Sequence, residues 1–317
     1  MVPRRAVNMG PRKDIVGLFR KAALKQGLRF GVSEHLAVSY HWFQTSHGAD
    51  KDGPFQGVPY DGADPKYAGL YHQTHDAPKR AWDEQGVPLA WKRHYFERMK
   101  DLIDQYEPDL LYTDGPIFFG EWGLAVVAHL YNRGAARHGG RVEAVYTNKG
   151  KTDCVQGACV LDLERGVVDR IWDEPWQTDT CVGRWHYDKE AQYKSPKIVI
   201  DMLVDIVSRN GNLLLNFPLP SDGMLDEREL KVLDEIARWI AVNGEAICAT
   251  RPWKTFGSAA PAASTQAPRG WLRTPPGRRV QRTEPEAAWR PGCALHPERI
   301  YRLRLCDGLA GEGSPLH

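Results

Sequence analysis

Two acidic residues close apolar, strand-like runs: Asp114 after Leu110-Leu111-Tyr112-Thr113, and Glu164 after the run from Ala158 to Leu163. A buried strand ending in a carboxylate delivers that group to the rim of a sheet or barrel. Asp-Gly is also a strong turn dipeptide, so the spacing at Asp114-Gly115 leaves a turn and a catalytic group both open. Parallel strands place their C-terminal ends on one rim, where two carboxylates suit cleavage of a glycosidic bond. A separation of about 5–5.5 Å suits retention of configuration, with one group as nucleophile and the other as acid/base, and a wider one suits inversion. The aromatic residues around both acids fit a sugar: Trp and Tyr pack on C–H faces, while His, Asn and charged groups meet the hydroxyls.

The elements that must carry these acids repeat along the chain. Asp14 to Gly27 reads as a helix with an acidic start, basic residues towards its end and a Gly stop, and Ile15, Leu18, Phe19 and Ala22 share one face. Leu28 to Ser33 then reads as a strand ending at Glu34-His35, which completes one αβ unit. Leu36 to Pro88 is a long, weakly periodic stretch rich in His, Tyr, Trp, Gly, Asp and Pro, of the kind that is usually functional. Trp91 to Tyr106 returns to helical spacing and leads into the strand before Asp114.

The unit recurs after Asp114. Gly123 to Tyr131 reads as a helix, Val142 to Tyr146 as a strand, and Thr147 to Gly150 as a polar rim. Ile171 to Asp179 and Trp185-His186-Tyr187 read as an aromatic loop segment. Ser195-Pro196 opens a helix that stops at Asn210-Gly211, Leu213 to Phe217 is a buried strand, and Asp226 to Val242 a closing amphipathic helix. Alternating helices, strands and rim loops predict an α/β fold, either a (β/α) barrel or a doubly wound sheet.

Composition narrows the function classes. The chain has 317 residues, 42% hydrophobic and 26% charged, enough for one large α/β domain or two ordinary ones. With 42 Lys+Arg against 40 Asp+Glu and a net charge of +2, no basic excess argues for nucleic acid. Met1 to Gly10 has Arg4 and Arg5 without a following apolar stretch, so no signal peptide is legible. No run approaches the roughly 18 apolar residues of a membrane helix, and the expectation is a soluble chain without a membrane partner. The six cysteines are scattered without zinc-site spacing and read mainly as free thiols, although Cys154 and Cys159 are close enough to form a small disulfide loop.

Several motifs taken together resemble a known family. Gly10-Pro11-Arg12-Lys13-Asp14-Ile15-Val16-Gly17, Gly27 to His35 and Asp109 to Gly115 are followed by Pro175-Trp176-Gln177-Thr178-Asp179-Thr180 and by Leu213 to Pro218 with Asp222-Gly223. In this order and with these gaps they resemble the alpha-L-fucosidases of glycoside hydrolase family 29, over about residues 8 to 257. The resemblance implies a TIM-like (β/α) catalytic barrel and retaining, exo-acting hydrolysis of terminal alpha-L-fucose from glycans, with no metal and no organic cofactor. Asp114 matches the nucleophile. Glu164 is the best positional match to the acid/base, with Asp162 and Glu174 as alternatives.

His35 is placed to bond a sugar hydroxyl, although a surface loop histidine reads the same way. Tyr112 and Trp185 match positions where the family sets aromatic residues beside the sugar, and a core role is open for each. Trp42 lies in the corresponding loop. Lys149 stands where several relatives have the Arg of an Asn-Asp-Arg motif; it keeps the charge and loses the bidentate fork, so that role is not carried over.

Two departures shape the remaining expectations. Members of the family carry further chain before the Gly-Pro-Arg motif, with the first barrel strands, a His-Trp-Gly segment and a paired-His motif that grips the sugar. The barrel over residues 1–257 is therefore expected to be incomplete, with exposed strand edges. Residues 258–317 are rich in Ala, Pro, Arg and Gly without strand alternation and are expected to form a disordered tail, as an out-of-frame reading of a GC-rich gene would produce. An inactive fragment or a non-catalytic fucose-binding protein of the same fold is the alternative, and a glycosidase of another barrel family a third reading. The family is often secreted, periplasmic or lysosomal.

Overall fold

The computed structural model describes residues 10–67, 71–76, 83–155 and 157–257, together with Val7. It divides into two compact units, one through Val160 and one from Leu161. The tail predicted beyond residue 257 lies outside the described residues.

In the first unit, α1 (Ile15–Lys25) precedes β1 (Gly31–Glu34), α3 (Leu89–Tyr106) precedes β2 (Leu110–Thr113), and α4 (Glu121–Arg137) precedes β3 (Val145–Asn148). Asp14 caps α1 by accepting from the Gly17 amide at 3.0 Å, as its place in the sequence predicts. The three strands run parallel, with Gly31 opposite Leu110, Glu34 opposite Thr113, and Tyr112 opposite Thr147. Trp91, Tyr95, Met99 and Ile103 recur every four residues along α3 and bury one face of it against Leu111, Tyr146, Val126 and Leu130. The long stretch after β1 is not structureless: it holds the short helix α2 (Ser39–Trp42), flanked by helical turns at Leu36–Val38 and Phe43–His47.

The second unit holds β4 (Val160–Asp162, whose first residue closes the first unit), β5 (Trp176–Cys181) and β6 (Gly211–Asn216), again parallel. The expectation of an irregular aromatic segment at Ile171 to Asp179 is corrected here, because Trp176 to Cys181 is a strand. Five of its six residues are buried, so no alternation of polar and apolar residues marks it in the sequence. Gly211 faces Trp176, and a Cβ there would stand 2.5 Å from the indole, so only glycine lets the two strands close. Ser195 caps α5 (Pro196–Ser208), and Asp226 with Glu229 forms a reciprocal capping box on α6 (Glu227–Asn243). Val168, Trp176 and Ile206 centre the core of this unit. Both units thus have the predicted α/β architecture, with helices alternating with parallel strands. No helix among the described residues is long and apolar enough to cross a membrane.

Candidate active site

His35, Asp114 and Lys149 are each the residue that directly follows a strand, β1, β2 and β3 in turn. Because Glu34 pairs with Thr113 and Tyr112 with Thr147, one further step from the first pair and two from the second set these three side by side. The carboxylate of Asp114 is partly buried and both its oxygens are engaged. His35 Nε2 lies 2.5 Å from Oδ2 and Lys149 Nζ 2.7 Å from Oδ1, while the Tyr112 hydroxyl donates to Oδ1 at 3.4 Å. An ionised carboxylate only accepts, so the imidazole presents its Nε2–H to it. Burial pushes the Asp114 carboxyl up, but the bonded Lys149 ammonium and then His35 outweigh it and hold the group below its ordinary value.

The backbone fixes this cluster from behind. The Asp114 amide donates to the Glu34 carbonyl at 3.4 Å, and the Lys149 amide to the Gly115 carbonyl at 2.8 Å. Gly115 makes room for the Phe118 ring, which a Cβ there would meet at 2.8 Å. Beneath the rim, the buried Glu34 accepts from the Thr113 hydroxyl at 2.8 Å, the Tyr95 hydroxyl at 3.2 Å and the Leu36 amide at 2.7 Å. The Leu36 bond closes the turn that carries His35. Trp42, 39% exposed on α2, sets its edge against the His35 ring at 5.5 Å and offers an apolar surface beside the polar cluster.

The structure therefore brings together four of the sequence-predicted residues, Asp114, His35, Tyr112 and Trp42, within the first unit. The others belong to the second unit. Glu164 is exposed in the turn after β4, Asp162 is the buried last residue of that strand, and Glu174 is half-buried just before β5. Trp185 follows β5, where the Arg165 guanidinium lies 4.9 Å over its ring and its carbonyl accepts from the Asn216 side chain at 3.2 Å. Cys154 and Cys159, read mainly as free thiols with a loop disulfide as the option, are joined, whereas Cys181 and Cys248 are free. Among the described residues no group of three or more His, Cys, Asp or Glu side chains is placed to hold a metal ion.

Sequence reasoning missed Lys149 as a partner of Asp114. Its signal was present in the predicted polar rim at Thr147 to Gly150, but only the strand register turns that rim residue towards the acid. Glu34 was passed over for a different reason: a charged residue at a strand end reads as solvated, whereas three donors hold this one in the interior.

Comparison with known proteins follows the same outline. The family model described as alpha-L-fucosidase matches residues 3–245. The bovine tissue alpha-L-fucosidase is 24% identical over 268 residues, covering 78% of this chain and 47% of that protein. The rat plasma alpha-L-fucosidase is 25% identical over 264 residues, covering 79% and 49%. Among solved structures, an alpha-L-fucosidase superposes with a TM-score of 0.54 at 22% identity, over 78% of this chain and 50% of that one. The Thermotoga maritima alpha-fucosidase solved in complex with fucose gives 0.52 at 22% identity, over 79% and 50%. The shared fold is the TIM-like (β/α) barrel, here incomplete, and the chain spans about half the length of the curated relatives it matches.

Proposed function

The chain belongs to the alpha-L-fucosidase family, and from that premise we propose that it hydrolyses terminal alpha-L-fucosides of glycans with retention, acting from the chain end. The observation that carries this reading is the carboxylate of Asp114, held ionised between Lys149 and His35 at the end of a parallel strand. An ionised carboxylate that accepts bonds without being neutralised is the form a glycosidase nucleophile needs. Asp114 attacks the anomeric carbon and the bond to the leaving oxygen breaks, giving a glycosyl ester. Glu164 supplies the proton to that leaving oxygen, then takes one from water as the water cleaves the ester and frees Asp114. His35 is proposed to turn a donor towards a sugar hydroxyl, while Tyr112, Trp42 and Trp185 meet the apolar faces of the sugar, including the fucose methyl. Asp162 and Glu174 are the other carboxylates to compare with Glu164 by substitution.

The test is Asp114→Gly assayed on an aryl alpha-L-fucoside. Turnover is expected to fall by roughly four orders of magnitude or more and to recover with azide, which fits the space the side chain vacates. Full activity in that variant would end the assignment. Saturable fucose binding with no turnover in the wild-type chain would assign the non-catalytic alternative, and cleavage of a different aryl glycoside would assign another glycosidase specificity.

A further inference from the structure

The loop that follows β3 is closed on itself by one carboxylate. Asp153 Oδ2 accepts from the Ile117 amide at 2.6 Å and from the Asn148 side-chain amide at 2.9 Å. Ile117 lies three residues after Asp114, in the loop behind β2, and Asn148 is the buried last residue of β3, immediately before Lys149. The same Asn148 amide also reaches the Gly150 carbonyl at 3.3 Å. Gly150 is packed so closely under Asp153 that a Cβ would fall 1.7 Å from Oδ2. The Cys154–Cys159 disulfide ties the chain directly after Asp153.

We propose that Asp153 is a positioning residue of this site: through a single carboxylate oxygen it clasps the loops behind β2 and β3 and so holds Lys149 against Asp114. The proposal rests on the reading of Asp114 as the reacting carboxylate, and it adds a residue that never meets substrate. The geometry gives the clasp this role. Lys149 has a flexible four-carbon side chain, and its ammonium stays 2.7 Å from Asp114 only if its own backbone is fixed relative to β2. The pairing of β3 with β2 and the bond from the Lys149 amide to the Gly115 carbonyl supply part of this, and Asp153 adds two further ties beyond the strand end. Because one oxygen accepts both bonds, an amide oxygen can replace it, and charge at position 153 is not required. The groups facing the Asp114 carboxylate within this unit are His35 from the end of β1, Tyr112 from β2 and Lys149 from the end of β3; of these, the clasp governs Lys149.

The test reads Asp114 directly, by carboxyl ¹³C titration of the full chain with labelled aspartate, its resonance assigned by its loss in Asp114→Asn. Asp153→Ala is expected to move the Asp114 midpoint upward as far as Lys149→Met does, and the double variant to move it no further. Asp153→Asn is expected to keep the wild-type midpoint. An unshifted midpoint in Asp153→Ala, an Asp153→Asn shift as large as the alanine one, or additivity with Lys149→Met would overturn the clasp. If near-ultraviolet circular dichroism shows that Asp153→Ala does not fold, Asn148→Ala decides: it cuts one of the two bonds, and a smaller upward shift supports the proposal while none refutes it. Turnover of the aryl fucoside is followed separately. A wild-type chain that titrates as described and hydrolyses nothing removes the proposed function and keeps the clasp, while an active chain with an unmoved midpoint does the reverse.

Discussion

Glu34 and Asp114 sit at the ends of neighbouring strands, one register step apart, and their surroundings push them in opposite directions. Glu34 is buried and accepts from neutral donors, the hydroxyls of Thr113 and Tyr95 and the backbone amides of Leu36 and Ala37, and burial raises its pKa. Asp114 is also partly desolvated, yet Lys149 and His35 reverse the sign. The comparison teaches that a strand-end carboxylate has no role of its own. A cation within bonding distance makes one a candidate nucleophile, and hydrogen bonds from neutral donors in the interior make the other part of the scaffold.

Removing the cation attacks that contrast most directly. Lys149→Met leaves Asp114 with burial and only part of its compensation, so the acid limb of kcat/KM on an aryl fucoside should move to higher pH. At neutral pH, kcat should fall by on the order of 10²-fold, the loss expected when one preorganised charge is withdrawn from a reacting centre. Lys149→Arg should recover part of the rate, because the charge returns with a different shape. An unchanged acid limb in Lys149→Met would mean that Lys149 does not set the ionisation of Asp114.

The scaffold side of the comparison is tested by stability. Glu34→Ala leaves the Leu36 amide and the Thr113 and Tyr95 hydroxyls without their acceptor, at a cost of about 1–3 kcal/mol in urea unfolding. Glu34→Gln should lose less: its oxygen can accept from Leu36, and the two hydroxyls can turn to face its amide. Equal destabilisation by both substitutions would show that the charge of Glu34, and not its hydrogen bonding, matters to the fold.

The same contrast explains what the sequence alone conveyed. Helix periodicity and capping residues made α1, α3, α5 and α6 legible, and the apolar run before Asp114 located β2. At Asp114 the spacing left a turn and a catalytic group both open, and only the motifs around it, which resemble a family with a strand-end nucleophile, favoured the second. What connects Asp114 to Lys149 was not legible, since 35 residues of chain separate them and only the parallel register brings them to 2.7 Å. The strand β5 was missed for a related reason, since burial on both faces erases the alternation by which strands are recognised. Asp153 is the extreme case: a loop aspartate next to a cysteine reads as a turn former, and its function lies in what it joins.

The smallest effect expected is a pair of opposed pH slopes. A carboxyl whose folded pKa is depressed contributes stability that is present above its unfolded value, about 3.9 for Asp, and lost as pH falls through the folded pKa. Asp114 is of that kind, so Asp114→Asn should narrow the difference from wild type as the solution is acidified below pH 4. Glu34 has a raised pKa, so its contribution is present below the ordinary value of 4.5 and is lost as pH rises through the folded pKa. Relative to wild type, Glu34→Gln should therefore gain stability as pH rises from 4.5 through the folded pKa of Glu34, whatever its absolute cost. Urea midpoints at four or five pH values would read both slopes. Parallel curves for wild type and Glu34→Gln across that interval would show that the interior carboxylate ionises like a solvated one, and the opposition between the two strand ends would fail at Glu34 and not at Asp114.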